Sequence, residues 1–374
     1  MRAAARILVV DDESGMVRAV ERVLGAAYEV VGSHSSPDAL TIARRFEPDL
    51  VILDVRMPEI DGFELMARLK TELPGVDIIV MTGSLDDLDQ KLIRAIRGRA
   101  FYFIQKPFDR EVLQTLVERC LELRWRRLEG RQHVDRLERE LADARAFQRG
   151  LLPLPDMVID GVGVSCRYQP CVELGGDLCD YASIGPGRIA LVVADVMGHG
   201  VSAAMLTGVV KSAFRASSPE GYEPRAMVQR LWHNMDAFGS ERFVTLIAAV
   251  ISLEERSIDY VNAGHPAGLL VASGGSVTSL SSTGPLVSPA LRDCAWEQRR
   301  AAFSAGDLLF LYTDGVGDAL GGDADCGEDA IVALLRQLAP SEAPLLDSVL
   351  VRIDERSGGR PHPDDLTLLS VKWT

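Results

Sequence analysis

Two sets of aspartates carry most of the chemistry open to this sequence. The first is Asp11 and Asp12 in VVDDE and Asp54 in LDVRMPEIDG, accompanied by Thr82 in MTG and Lys106 in KPF. The second is Asp177 in GGDLCDY, Asp195 in VVADVMGHG, Asp314 in LYTDGV, and Asp364 with Asp365 in PDDLTLL. Carboxylates gathered on one rim raise one another's pKa unless a divalent cation neutralises them. An all-oxygen donor set suits Mg²⁺, which keeps several waters and shares its shell with phosphate. Beside such an ion, Lys106 can pair with one phosphate oxygen and Thr82 can donate its hydroxyl to another. That constellation places a phosphoryl group on a carboxylate. The second set contains neither histidine nor thiolate, so it suits Mg²⁺ or Mn²⁺ rather than zinc. Two such ions about 4 Å apart lower the pKa of a bridging water and clamp a phosphoryl group for in-line attack, which is phosphoester hydrolysis.

The elements that must position these residues follow from the apolar pattern. Short β-branched runs at 7–10, 28–31, 50–53, 78–80 and 101–104 alternate with helical periods, which predicts five parallel strands in a doubly wound α/β fold. Asp11 and Asp12 follow the first run, Asp54 the third, Thr82 the fourth and Lys106 the fifth. In an open α/β sheet those carboxyl ends share one rim. Ser36-Pro37-Asp38 reads as a cap and first turn, and Asp61-Gly62 opens another helix. Beyond Pro153 the runs at 243–252, 258–261, 307–313 and 366–371, with helices near 198–216 and 224–238, come in blocks. Blocks predict a layered α+β sandwich of antiparallel strands. One aspartate at a strand end is ordinary turn chemistry. Four strand ends bearing them, each beside glycine or a turn, point to a site.

A chain of 374 residues suits two domains and a connector, here 1–122, 123–152 and 153–374. The connector is rich in Arg, Glu and Leu without proline, which predicts a long helix, with Gly130 interrupting it upstream. Val134, Leu137, Leu141, Ala144, Gln148 and Leu151 alternate in spacings of three and four, a stripe that predicts a homodimerising coiled coil. The alternative is a helix packed on its own C-terminal domain. The N-terminus does not read as a signal peptide, and no run approaches the roughly 18 apolar residues of a membrane helix, so a cytoplasmic protein without membrane insertion is expected. Cys120, Cys166, Cys171, Cys179, Cys294 and Cys326 are scattered without zinc spacing and read as small buried hydrophobes. A net charge of −14 argues against nucleic acid as a partner.

VVDDE, LDVRMPEIDG, MTG and KPF, in that order, resemble the response-regulator receiver family across the first third of the chain. The resemblance implies that Asp54 accepts phosphate from a histidine kinase or another phosphodonor. It makes Asp12, Asp54 and the Arg56 carbonyl the Mg²⁺ ligands, with Asp11 in the outer shell, and Thr82 with Phe103 the switch pair. ARAFQRGLLP, GGD, ADVMGHG, VNAGHP, LYTDGV and DDLTLL resemble the PPM family, the protein phosphatase 2C-like enzymes, in its bacterial sporulation and stress-response branch. That resemblance implies two Mn²⁺ or Mg²⁺ ions held by Asp195 and Asp314 with the Val196 carbonyl, and Asp364 completing one shell. Asp177 acts through water ligands or a further metal site, with Asp365 as its neighbour. The implied substrate is phosphoserine or phosphothreonine on an anti-sigma-factor antagonist. Met197 and the Gly317-Asp318 pair depart from the family's usual residues, but neither replaces an implied ligand.

Three other readings compete. GGDLCDY invites a nucleotide-cyclase reading, yet Leu178 and Cys179 cannot supply the carboxylate it needs. A pseudo-phosphatase adaptor would bind a partner and hydrolyse nothing, and retention of every metal aspartate argues against it. A DNA-binding output is the common default after a receiver, but no basic recognition helix follows the linker. His199 in its Gly-His-Gly turn reads as a turn or helix-start residue, with a general acid as the alternative, and His265 in NAGHP reads as structural, with support of the site as the alternative.

Overall fold

A computed structural model describes residues 4–83, 102–218, 221–239, 241–321, 324–338 and 344–373. They fall into two compact units, Met1–Leu137 and Glu138–Thr374. In the first, β1 (Arg6–Val10), β2 (Glu29–Ser33), β3 (Leu50–Asp54), β4 (Asp77–Thr82) and β5 (Tyr102–Gln105) form a parallel sheet in the order β2-β1-β3-β4-β5. The strand runs show no alternation because both faces are covered. Ile7 and Val9 pack with Val17, Val20 and Leu24 of α1 (Ser14–Leu24) and with Leu113 and Val117 of α4 (Arg110–Leu151). Leu8 and Val10 pack on the other side with Ala39 and Ala43 of α2 (Ser36–Phe46) and Leu65, Met66 and Leu69 of α3 (Gly62–Glu72). Ser35 caps α2 by accepting from the Asp38 N–H at 3.2 Å, and Asp61 caps α3 by accepting from Phe63 N–H at 3.1 Å. The strand order reverses between β1 and β3, so the acids that follow these strands meet at the switch point. A Cβ on Gly62 would lie 2.2 Å from the Asp54 carbonyl oxygen, so only glycine lets α3 begin directly beside that acid.

The second unit has four layers. One sheet has the order β14-β11-β10-β9-β8 and the other β13-β12-β15-β16-β7-β6, with every pairing antiparallel. The strands are β6 (Asp156–Ile159), β7 (Val162–Gln169), β8 (Asp177–Ser183), β9 (Arg188–Val196), β10 (Val244–Ser252), β11 (Ser257–Ala263), β12 (Gly268–Val271), β13 (Val277–Leu280), β14 (Arg299–Ala302), β15 (Leu308–Tyr312) and β16 (Leu366–Trp373). Between the sheets Leu191, Val193 and Ile247 meet Leu309, Leu311 and Leu369. The alternate residues of β9, Ala190, Val192 and Ala194, face outward under Val210 and Phe214 of α5 (Val201–Ala216) and Leu231 of α6 (Pro224–Met235). On the far side Phe310 and Leu368 lie under α7 (Asp314–Gly321), α8 (Ala324–Leu338) and α9 (Leu345–Ser357), meeting Val316, Leu335 and Ile353. The layered antiparallel sandwich expected from the sequence is therefore present.

Two expectations need correction. Cys166 on β7 and Cys179 on β8 form a disulfide joining the two sheets, so these two are not unpaired core hydrophobes. The pairing depends on how the sheets stack, which spacing along the chain does not encode. Gly130 does not interrupt α4, which runs unbroken for 42 residues. An exposed interior glycine costs only about 1 kcal/mol against alanine, and the many good helix formers around it outweigh that. The stripe on α4 is also divided. Val134 and Leu137 stay 51% and 44% exposed, whereas Gln148 is 5% exposed and Leu151 packs against the core beneath α5 and α6. Among the described residues no helix is long and apolar enough to cross a membrane.

Candidate functional site

The first unit brings Asp11, Asp12 and Asp54 to one rim, with a carboxylate oxygen of each lying within 4.8 Å of the others. Asp11 and Asp54 are buried and Asp12 is exposed. Lys106 Nζ bridges the buried pair, 2.5 Å from Asp11 and 2.9 Å from Asp54. Burial pushes the Asp54 carboxyl up, Lys106 pulls it down, and Asp11 pushes it up again. Burial would lower Lys106, but its hydrogen bonds to Asp11 and Asp54 turn the net shift upward. The Arg56 N–H donates to Asp54 at 3.1 Å, and Arg56 lines a cleft with Asp12, Met57 and Asp61. Thr82 is fully buried, and its hydroxyl has no hydrogen-bond partner among the described residues. A buried orphan hydroxyl beside a lysine and three acids fits a site built for a phosphoryl oxygen and a cation. Phe103 on β5 is half-buried against the α2 and α3 side of the sheet.

In the second unit the predicted acids come from four places in the sandwich. Asp177 opens β8 and stands directly opposite Asp195 of β9 in the ladder. Asp314 begins α7 at the end of β15, and Asp364 with Asp365 precedes β16. Asp177 is fully buried and accepts from Thr313 Oγ1 at 2.7 Å. Burial, and then Asp195, push its carboxyl well above the ordinary range. Burial together with Asp314, Asp364 and Asp365 pushes Asp195 up to about 7. Asp314 is also raised, by burial first and then by Asp364. No lysine or arginine among the described residues forms an ion pair with any of these five acids. Uncompensated carboxylates facing one another are the donor set that a hard divalent cation neutralises, so the residues present fit the expected ions.

The loop before β8 completes this geometry. Asp365 accepts from the Cys171 N–H at 2.8 Å and the Gly176 N–H at 2.6 Å. A Cβ on Gly175 would lie 2.2 Å from Asp365 Oδ2, and one on Gly176 would lie 2.4 Å from the Val196 carbonyl oxygen. The two glycines thus let the backbone run between Asp365 and the end of β9. Several members of this neighbourhood were not anticipated. Cys171 is half-buried with its thiol within 4.8 Å of the Asp364 and Asp365 oxygens. Burial and Asp365 push that thiol up to about 11, so it stays protonated near neutrality. Thr313 had no signal beyond lying next to Asp314. Asp180, three residues past Asp177 on β8, is fully buried and paired with Arg215 at 2.6 Å and Lys211 at 3.0 Å. His199 is exposed. His265 is buried, shares a 2.8 Å hydrogen bond with Thr245, and is lowered by burial to about 3. Asn262 receives its N–H at 2.9 Å, so the NAGHP loop is held by local bonds.

Comparison with known proteins agrees with this division. Residues 7–118 match the response regulator receiver domain, and residues 185–374 match stage II sporulation protein E. The chain is 32% identical over 186 residues to the phosphoserine phosphatase RsbP of Bacillus subtilis, covering 48% of this chain and 46% of that protein. It is 25% identical over 272 residues to protein IcfG of Synechocystis, covering 65% and 42%. It therefore spans less than half the length of these curated relatives. Among solved structures, the SiaA-PP2C domain of Pseudomonas aeruginosa superposes with a TM-score of 0.56 at 22% identity, over 64% of this chain and 98% of that one. The RsbU and RsbW domains of Rv1364c from Mycobacterium tuberculosis give 0.51 at 24% identity, over 57% and 60%. These two show a shared PP2C-like fold. With a receiver domain ahead of it, and a matched stretch that takes up slightly more than half of the sequence, the chain belongs to the stage II sporulation protein E family.

Proposed function

We propose that this chain is a response regulator whose output is metal-dependent removal of phosphate from phosphoserine or phosphothreonine on a protein, under the control of phosphorylation at Asp54. The observation that carries the reading is the convergence of Asp177, Asp195, Asp314, Asp364 and Asp365 without a balancing lysine or arginine among the described residues, which leaves Asp195 holding its proton up to about 7. Asp195, Asp314, Asp364 and the Val196 carbonyl would hold two Mn²⁺ or Mg²⁺ ions, with Asp177 acting through water or a further ion and Asp365 beside it. When bound, such ions supply a water of lowered pKa as nucleophile and neutralise charge on the phosphoryl group. The chain's own part is positioning. Thr313 fixes the Asp177 carboxylate, and the Cys171 and Gly176 N–H groups fix Asp365. The likeness to the phosphoserine phosphatase RsbP supports a phosphorylated hydroxyl side chain as substrate. An anti-sigma-factor antagonist is the partner inferred from the motifs.

In the first unit Asp54 is the acceptor and Lys106 and Thr82 take the phosphoryl oxygens. Asp12, Asp54 and the Arg56 carbonyl would hold Mg²⁺, with Asp11 behind them. A histidine kinase or a small acyl phosphate is the donor, and Thr82 with Phe103 registers the change. The exposed part of the α4 stripe, Val134 and Leu137, serves a homodimer in the cytoplasm. The test is hydrolysis of a phosphoserine peptide by the whole chain with and without Mn²⁺, repeated with an acyl-phosphate donor. Metal-dependent turnover that shifts with the donor supports both assignments. A folded, inert chain under every condition favours an adaptor that binds its partner without hydrolysis.

A further inference from the structure

We propose that Gln148 is a positioning residue of the aspartate cage, through which the last turn of α4 sets the backbone that carries Asp177 and holds Asp365. The inference rests on the metal-centre reading above and adds a residue to it. Gln148 is buried, between Phe147, 71% exposed, and Arg149, also exposed. Its Nε2 donates to the Gly175 carbonyl at 2.7 Å, and its Oε1 accepts from the Gly175 N–H at 3.4 Å. One side-chain amide thus satisfies both backbone groups of one buried glycine. A buried amide costs free energy unless both its ends are bonded, so at the end of an otherwise apolar stripe the glutamine is explained by this contact and not by packing.

What Gly175 touches makes the contact consequential. The next N–H, of Gly176, donates to Asp365, and the Gly176 carbonyl accepts from the Val196 N–H at 3.1 Å. The residue after that is Asp177, opposite Asp195. Every backbone step from 174 to 177 is therefore fixed by a named partner, since the Leu174 carbonyl accepts from the Gly200 N–H at 2.9 Å. Gln148 is the partner that comes from outside the sandwich. Two neighbours on the same face of α4, spaced three residues either side, repeat the attachment. Arg145 pairs with the Glu173 carboxylate and donates to its carbonyl at 3.3 Å. The Leu151 carbonyl accepts from Lys211, whose ammonium also pairs with Asp180 of β8. The segment 173–180 is thus tied to α4 directly at Glu173 and Gly175 and through Lys211 of α5 at Asp180, and only the Gly175 contact reaches the residue that abuts the cage.

The test uses the full chain. Gln148→Leu removes the amide and keeps the bulk, Gln148→Met is its unbranched companion should leucine fail to fold, and Phe147→Ala is the control on the same turn. Mn²⁺ binding is read by calorimetry and backbone exposure by hydrogen–deuterium exchange of the peptide spanning residues 171–180. Loss of two hydrogen bonds predicts Mn²⁺ binding weakened about tenfold, with faster exchange at Gly175 and Gly176. Turnover should recover at saturating Mn²⁺, which a general loss of folding would not allow, and Phe147→Ala should match wild type in all three. Gln148 variants that bind Mn²⁺ as tightly and exchange as slowly as wild type overturn the inference while leaving the phosphatase reading intact. A wild type that binds Mn²⁺ with the expected Gln148 dependence but hydrolyses nothing removes the phosphatase reading and keeps this one. A wild type that binds no Mn²⁺ overturns both.

Discussion

At the scale of single residues, the raised acids of the second unit fix its response to pH. Asp177, Asp195 and Asp314 hold their protons to higher pH in the folded chain than in the unfolded one. Between the ordinary carboxylate value near 3.8 and about 7, the folded state of the metal-free chain therefore binds more protons, and its stability falls as pH rises through that window. A cation reverses the penalty by displacing those protons. Mn²⁺ is thus expected to raise the unfolding temperature more at about pH 8 than at about pH 5, and equal increments in a melting series with and without chelator would count against the cage. Asp314→Asn removes a carboxylate whose hydrogen bond is local, to the Gly315 N–H. Hydrolysis should drop by about a hundredfold or more, the scale on which lost electrostatic stabilisation of a transition state is measured, with an unchanged circular dichroism spectrum; near-normal turnover would sink the assignment. In the first unit Asp54→Asn should abolish both incorporation of labelled phosphate from an acyl donor and the donor's effect on turnover. The candidate acids were legible in the sequence because each stands at the end or start of an apolar run. Gln148 was not, because an amide inside a heptad-like stripe looks like a flaw in the stripe until its partner, 27 residues away, is known.

At the scale of elements, legibility followed burial. β1 and β3 stood out because both their faces are covered, and β9 and β10 are as apolar for the same reason. β14, with the sequence RRAA, and β13, with VTSL, are edge strands and largely exposed, so nothing in their residues separates them from loop. The Cys166–Cys179 link gives the sandwich a covalent tie between its sheets, closing a separation of 13 residues. A loop of that size is worth about 3 kcal/mol in the chain-entropy account. Thiol reductant should accordingly lower the melting temperature of the oxidised chain, and peptide mapping should recover the two cysteines together; a map with both free and no reductant effect would dismiss the tie. For α4 the exposed Val134 and Leu137 carry the dimer proposal. Leu137→Glu should shift light scattering from dimer to monomer while leaving the melting temperature within about a degree, since a surface change away from packing alters stability little. An unshifted dimer would place self-association elsewhere.

At the scale of the whole molecule, two units with separate cores should melt as two events. Calorimetry of the intact chain is expected to resolve two transitions, with Mn²⁺ moving one and acyl phosphate with Mg²⁺ moving the other. A single transition that both ligands shift would mean that the cores are not thermodynamically independent. The architecture, including the layered sandwich of the second unit, was readable from the order of strand and helix blocks; which strands share a sheet was not, since β16, the last strand, lies between β7 and β15 in one of them. The facing of Asp177 and Asp195 across the β8–β9 ladder carries a further consequence for anyone who would improve this protein. Like charges opposite one another weaken a sheet, so a library sorted only for heat resistance, in buffer without divalent ions, will enrich asparagine or serine at these two positions. Its winners would fold better and lack the acid pair. A sort run with Mn²⁺ present reverses the sign of that advantage, so the choice of buffer decides whether the survivors keep both acids.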